Sequence, residues 1–372
     1  MTGIQSVRPG GLLGLLLLVT PLLGGCGIGY YWQASMGHLE LMRQRRPVVD
    51  VMDDPRTGED VRAKLRVAMH ALDFAYAELG LPDNGSYRLY ADIGRSHVLW
   101  NVVAAPEFSL EPRTWCFPIA GCVSYRGYFS EADARRFAAG LAARGDDVYV
   151  GGVAAYSTLG RFRDPILSTM IAYADYRLAG LIFHELAHQR VYVADDSTFN
   201  ESFASFVEQE GLRRWLEALE AGEALCHDRL ARQRGREVQA LLADFRERLA
   251  ALYASGLDAD ETRAAKAEIF PKLAEAYGDL RSGWSEPPHF DAWFEGPLNN
   301  ARLVALATYD AYVPAFAVLL DEAGGKLDDF YARVEALAAL RAPERSARLS
   351  GLLERRLPLP GALPPGCAPP SS

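Results

Sequence analysis

Positive charge is in short supply in this sequence. Thirty-nine Lys and Arg stand against 48 Asp and Glu, for a formal net charge of −9 and a pI of about 5.4. A nucleic-acid binder needs a basic stripe to displace phosphate counterions. The one short basic run here, Arg43, Arg45 and Arg46, reads as a solvated face, so no nucleic-acid partner is expected. Cysteine is scarce as well, with five in 372 residues. No second pair of ligands stands near Cys116 and Cys122, which argues against a cysteine zinc site there. Internal repeats are lacking, and with them solenoid and propeller architectures. What is present is ordinary for a globular chain: 49 % hydrophobic and 23 % charged residues, enough for one large domain or two average ones.

The N-terminus stands apart. "MTGIQSVRPGGLLGLLLLVTPLLGGCG" carries one basic residue, Arg8, then an apolar run from Leu12 to Leu23, then small residues and Cys26. The run is short for a membrane-spanning helix and fits a secretory signal. Its ending, Leu23-Gly24-Gly25-Cys26, resembles the lipobox of bacterial lipoproteins. That resemblance implies a signal peptide over 1–25, a lipid on Cys26, and attachment to a membrane through acyl chains. Each buried methylene contributes roughly 0.8 kcal/mol to such an anchor. Residue 27 is Gly rather than Asp, which in a Gram-negative cell envelope implies the outer membrane, facing the periplasm. The periplasm permits disulfides. "WCFPIAGC" sets Cys116 and Cys122 around a tight Pro/Gly loop, and these two are expected to pair. Cys226 and Cys367 stay undecided.

Residues 26–55 read as the lipidated cysteine and an extended tether with one short helix. Apolar spacing predicts a helix over 57–80 ending at Gly80. Strands are predicted within 86–94 and 97–109, and a loop plus strand over 116–128. A helix over 130–147 starts at Ser130 as N-cap, and a strand follows over 148–158. From Asp164 onward the chain reads as mostly helical, with helix formers concentrated in 203–255, 260–282 and 299–340. The Pro-rich tail, 356–372, reads as disordered. The fold class is therefore α+β, a small mixed α/β part before a mostly helical part, with one domain over 56–355.

The chemistry sits at that junction, in "LIFHELAHQRVYVADDSTFNESFASFVEQEG". His184-Glu185-Leu186-Ala187-His188 is an H-E-x-x-H motif. On a helix, i and i+4 share a face, so both imidazoles can reach one ion at roughly 2.0–2.1 Å. Glu185 can then act as general base on water activated by that ion. The bare motif is a weak signal. A catalytic zinc takes a third protein ligand and keeps an open position. Glu201, in the first turn of a second predicted helix, supplies that ligand. Glu208, further along the same helix face, is placed to orient a ligand histidine, and is the alternative third ligand. Asp195 and Asp196 read as loop residues.

The motif followed by Asn200-Glu201 resembles the gluzincin metallopeptidases, in which a second helix carries N-E and its glutamate is the third zinc ligand. The connection from His188 to Glu201 is shorter here than in the thermolysin-like and aminopeptidase N groups. A wider match, through "TWCFPIAGCVSYRGYF", "YVGGVAAYSTLGRFRDPI" and "NNARLVALATYDAYVPAF", resembles the predicted aminopeptidase family of bacterial lipoproteins. The resemblance implies a zincin-like fold and a membrane-anchored zinc peptidase acting on peptides, with one Zn2+ per chain on His184, His188 and Glu201. It also calls for a Tyr or His donor to the oxyanion. Tyr309 is favoured, Tyr156 comes second, and Tyr312 and His289 are further candidates. A carboxylate for the substrate ammonium is not identified; Glu208 and Glu210 are possible. The alternatives are a zinc endopeptidase, or a non-catalytic envelope binding protein on the same scaffold.

Overall fold

The computed structural model describes residues 28–117, 121–284, 290–307 and 311–355. The signal region, Cys26, His289, Tyr309, Cys367 and the tail lie outside the described residues. The chain divides into two units, Met1–Gln44 and Arg45–Ser372. The first contains helix α1 (Ile28–Arg43). No described helix is long and apolar enough to cross a membrane.

The second unit begins inside what the sequence suggested was tether. Strand β1 (Arg46–Pro47) and helix α2 (Val48–Asp53) are integral to it, with Val48 and Val51 buried. α3 (Glu59–Ala77) follows, then strands β2 (Leu89–Ala91), β3 (Leu99–Pro106), β4 (Trp115–Phe117), β5 (Gly121–Val123) and β6 (Arg126–Tyr128). Helix α4 (Glu131–Ala142) is capped as expected: the Asp133 N–H donates to Ser130 Oγ. β7 (Asp146–Val153) and β8 (Ile166–Leu167) complete the strands among the described residues. The rest is helical: α5 (Asp175–Arg190), α6 (Ser197–Ala218), α7 (Gly222–Tyr253), α8 (Ala259–Ser282), α9 (Asp291–Phe294), α10 (Asn300–Ala307), α11 (Val313–Glu322), α12 (Leu327–Ala338) and α13 (Ala342–Leu353). The architecture is α+β.

β6, β3 and β7 form an antiparallel sheet with β3 in the centre, so β7 is an edge strand. β1 and β8 flank β2, the latter in parallel. β4 and β5 form a separate hairpin. Three strands are shorter than alternation suggested, the 97–109 strand among them, which contracts to Leu99–Pro106. The 86–94 strand shrinks because Tyr87 takes a left-handed φ of 61°, which a ladder does not accommodate. The 148–158 strand ends at Val153, before Leu159 and Gly160 turn the chain with positive φ.

The helical core explains the position of α5. One face packs on α3, where Phe74 meets Phe183 at 6.3 Å between ring centroids. Another packs along α6. α6 is itself covered on its far side by an aromatic layer. Phe199 and Phe203 lie 5.5 and 5.7 Å from Phe316 of α11, and Phe206 lies 5.1 Å from Phe330 of α12. A helix buried on both sides loses the single apolar stripe of a surface helix. A second core joins α7 and α8 through Val238, Leu242, Phe245, Phe270 and Leu273. Lys266 Nζ ties it to the sheet by donating to Asp147 Oδ2 and the Glu107 carbonyl, each at 2.7 Å.

Candidate metal centre

α5 and α6 hold every member of the cluster. His184 and His188 stand one turn apart on α5, with ring centroids 4.9 Å apart and planes at 83°. Glu201 turns back toward both from just past the first turn of α6, one turn later than the sequence suggested. Its Oε2 is 3.5 Å from His184 Nε2 and 3.8 Å from His188 Nε2. One ligand atom from each of the three lies within 4.8 Å of the others, and no other such His/Cys/Asp/Glu group occurs among the described residues. These separations are long for hydrogen bonds. They suit atoms sharing an ion: two ligands at roughly 2.0–2.1 Å in a tetrahedral arrangement lie about 3.3–3.4 Å apart. Two imidazoles and a carboxylate, with a position left open, are also the donor chemistry a catalytic zinc takes. The residues present therefore fit such an ion.

Glu208 sits behind the cluster. Its Oε2 is 3.1 Å from His184 Nδ1, on the opposite edge of the ring from Glu201. That approach depends on Gly180 of α5, where a Cβ would come within 3.3 Å of Glu208 Cγ and Oε1. When Nδ1–H donates to Glu208, the Nε2 lone pair of His184 is left facing Glu201. His188 Nδ1 is buried and has no hydrogen-bond partner among the described residues.

Burial and charge set the proton affinities. Burial works against a charged His184, but Glu201 and Glu208 outweigh it and hold the imidazole well above its ordinary value. Burial pushes His188 down to about 4. For Glu201 and Glu208 burial acts upward, yet the histidines beside them win and both stay below the usual carboxylate range. Glu185 behaves oppositely. Burial, reinforced by Glu201, Asp164 and Glu208, raises it to about 7.

The short connection between the two helices is pinned at three points. Asn200 brackets Val193: its Oδ1 accepts the Val193 N–H at 2.8 Å and its Nδ2 donates to the Val193 carbonyl at 2.7 Å. Asp196 caps α6 by accepting the Phe199 N–H, and its other oxygen accepts from Arg345 Nε and Nη2 at 2.8 and 2.7 Å. Asp195, at φ 67°, accepts the Cys122 N–H at 2.6 Å. Asp195 and Asp196 are loop residues, as their spacing suggested, but both hold the loop in place.

Other candidates fall elsewhere. Tyr156 follows β7, edge-on to Phe129 at 5.8 Å. Tyr309 lies outside the described residues; close by in sequence, the Tyr312 N–H donates to Ser202 Oγ at 3.1 Å, beside Glu201. Glu210 accepts from Arg213 and Arg214, so it is already committed. Tyr192, which the sequence did not single out, has its ring 6.5 Å from that of His188; its place two residues past the end of α5 was the available signal. Cys116 and Cys122 are bonded to each other. Cys226 is disulfide-bonded too.

An α+β chain that gathers two histidines and two glutamates around the junction of two helices has the groups a hydrolase needs. Residues 29–349 match the family described as "Putative aminopeptidase", and the chain belongs to that family. Its description is that of a peptidase. Comparison with curated proteins and with solved structures gave no match.

Proposed function

We propose that the protein is a zinc-dependent peptidase of zincin-like, gluzincin type, exported and lipid-anchored at Cys26 in a bacterial envelope, on the outer membrane facing the periplasm. His184, His188 and Glu201 hold one Zn2+, and Glu185 is the general base. The observation that carries the reading is the convergence of those three ligand atoms within 4.8 Å, with Glu185 on the same helix.

A bound zinc would supply Lewis-acid polarisation of the scissile carbonyl and of the attacking water. The chain supplies the proton handling. Glu185, on the same helix as the two histidines, takes a proton from the water and returns it to the leaving amine. Glu208 holds the His184 ring in one orientation. Tyr309, just before the Tyr312 contact with α6, is the proposed oxyanion donor, and Tyr156 the alternative. The edge position of β7 suits a peptide laid alongside it by strand addition.

The family description favours an aminopeptidase. One observation keeps an endopeptidase in play: Glu208 and Glu210, the carboxylates considered for the substrate ammonium, are engaged by His184 and by Arg213 and Arg214. A panel of amino-acyl substrates and internally quenched peptides separates the two. Turnover of amino-acyl substrates with a free amine supports the aminopeptidase. Cleavage of end-blocked peptides alone supports the endopeptidase. No turnover by zinc-loaded protein contradicts the enzyme and leaves a binding protein on this scaffold.

A further inference from the structure

The hairpin β4–β5 stands outside the site, yet it touches the chain between the metal-ligand helices. Its base is fixed to α4, where the Trp115 and Phe137 rings meet at 6.1 Å. Cys116 and Cys122 are directly opposite each other in its register and are bonded. Its far strand meets Asp195. The Cys122 N–H donates to Asp195 Oδ1 at 2.6 Å, a short charge-assisted bond. Gly121, at φ 73°, backs directly onto the same residue, and a Cβ there would come within 2.6 Å of the Asp195 N and Oδ1.

Asp195 is a costly place for an ordinary residue. Its own φ is 67°, a region that Asp reaches only with local hydrogen bonding to hold it. Asp196 beside it is the N-cap of α6. From that cap the helix runs through Asn200 to Glu201 within its first turn or so. Asp195 is therefore one of the three anchors that fix where Glu201 points.

We propose that the disulfide hairpin is a brace for the metal site, with Asp195 as a positioning residue, so that firm metal retention requires the Cys116–Cys122 bond to be oxidised. The inference rests on the zinc reading above. Cys116 is exposed and Cys122 half-buried, so a reductant can reach the bond. With a phosphine, phosphorus supplies two electrons and takes the oxygen of one water to become the phosphine oxide. The two sulfurs take that water's protons and become thiols. The Cys122 N–H then sits on an unlinked strand, and its bond to Asp195 loses its fixed base.

The experiment measures zinc release from the purified full-length protein to a chromogenic chelator, without denaturant. It compares the oxidised parent, the phosphine-reduced parent, a Cys116→Ser/Cys122→Ser double variant that has no hairpin thiols to capture metal, Asp195→Ala and Asp195→Asn. Release is expected to be about tenfold faster in the reduced, double-serine and alanine forms, the lower end of what outer-shell partners contribute to metal affinity. Asp195→Asn keeps both the acceptor oxygen and tolerance of left-handed φ, so it is expected to stay near the parent. Hydrogen exchange at the amides of 197–201 is expected to quicken in the same three forms, a readout independent of metal. Equal release and equal exchange in all five forms would overturn the brace while leaving the zinc site standing. A parent that takes up no zinc would overturn the metal reading and the brace with it.

Discussion

His184 faces a carboxylate at both edges, Glu208 at Nδ1 at 3.1 Å and Glu201 at Nε2 at 3.5 Å. That arrangement assigns the two glutamates different work and different mutational signatures. Glu208→Gln keeps a hydrogen-bond acceptor but removes the charge, and is expected to weaken zinc binding by roughly 10- to 100-fold with the fold intact, measured by chelator competition. Glu185→Gln is expected to retain zinc and lose about 10²–10⁴ in kcat, because only the proton transfer is removed. Asp164 gives a pH signature of its own. It is fully buried, and burial raises it from 3.8 to about 6 despite the hydroxyl and N–H of Thr158. A carboxyl with a raised folded pKa is stabilising while protonated in both states, and that stability is lost as pH rises from about 4 through 6. Asp164→Asn should therefore gain on the parent by about 2–3 kcal/mol between pH 4 and pH 7, in urea titrations at each pH. A constant difference across that range would contradict the assignment.

At the scale of elements, the site depends on how α6 is held. Its aromatic face against Phe316 and Phe330 sets its depth, and the Asp196 cap sets its start. Arg345 reaches that cap from α13 with 3 % of its surface exposed. Removing one partner of so buried a pair leaves the other charge uncompensated, so Arg345→Ala is expected to cost about 3–5 kcal/mol in denaturant unfolding. The same variant should also weaken zinc binding, because Glu201 follows the cap closely. The α5 motif was readable in the sequence because i and i+4 meet through helix geometry alone. Glu201 was readable from Asn200-Glu201 and the apolar spacing after it. The anchors were not. Arg345 lies 149 residues from Asp196, and Cys122 lies 73 from Asp195; pairs so distant leave no local pattern. Tyr87 misled for another reason: an aromatic in an alternating run looks like strand, and only its left-handed φ shows otherwise.

For the molecule as a whole, the division into α+β parts followed from hydrophobic periodicity, whereas the boundary of the folded unit did not. Arg45–Asp53 looked like tether because it is short and mixed, but strand pairing to β2 and the burial of Val48 and Val51 draw it into the domain. The proposed function depends on this junction of two helices holding a metal. The zinc content of purified protein, measured by mass spectrometry after dialysis, tests it most directly. About one zinc per chain is predicted for the parent, and close to none for His184→Ala and for His188→Ala. Full zinc stoichiometry in both variants would contradict it.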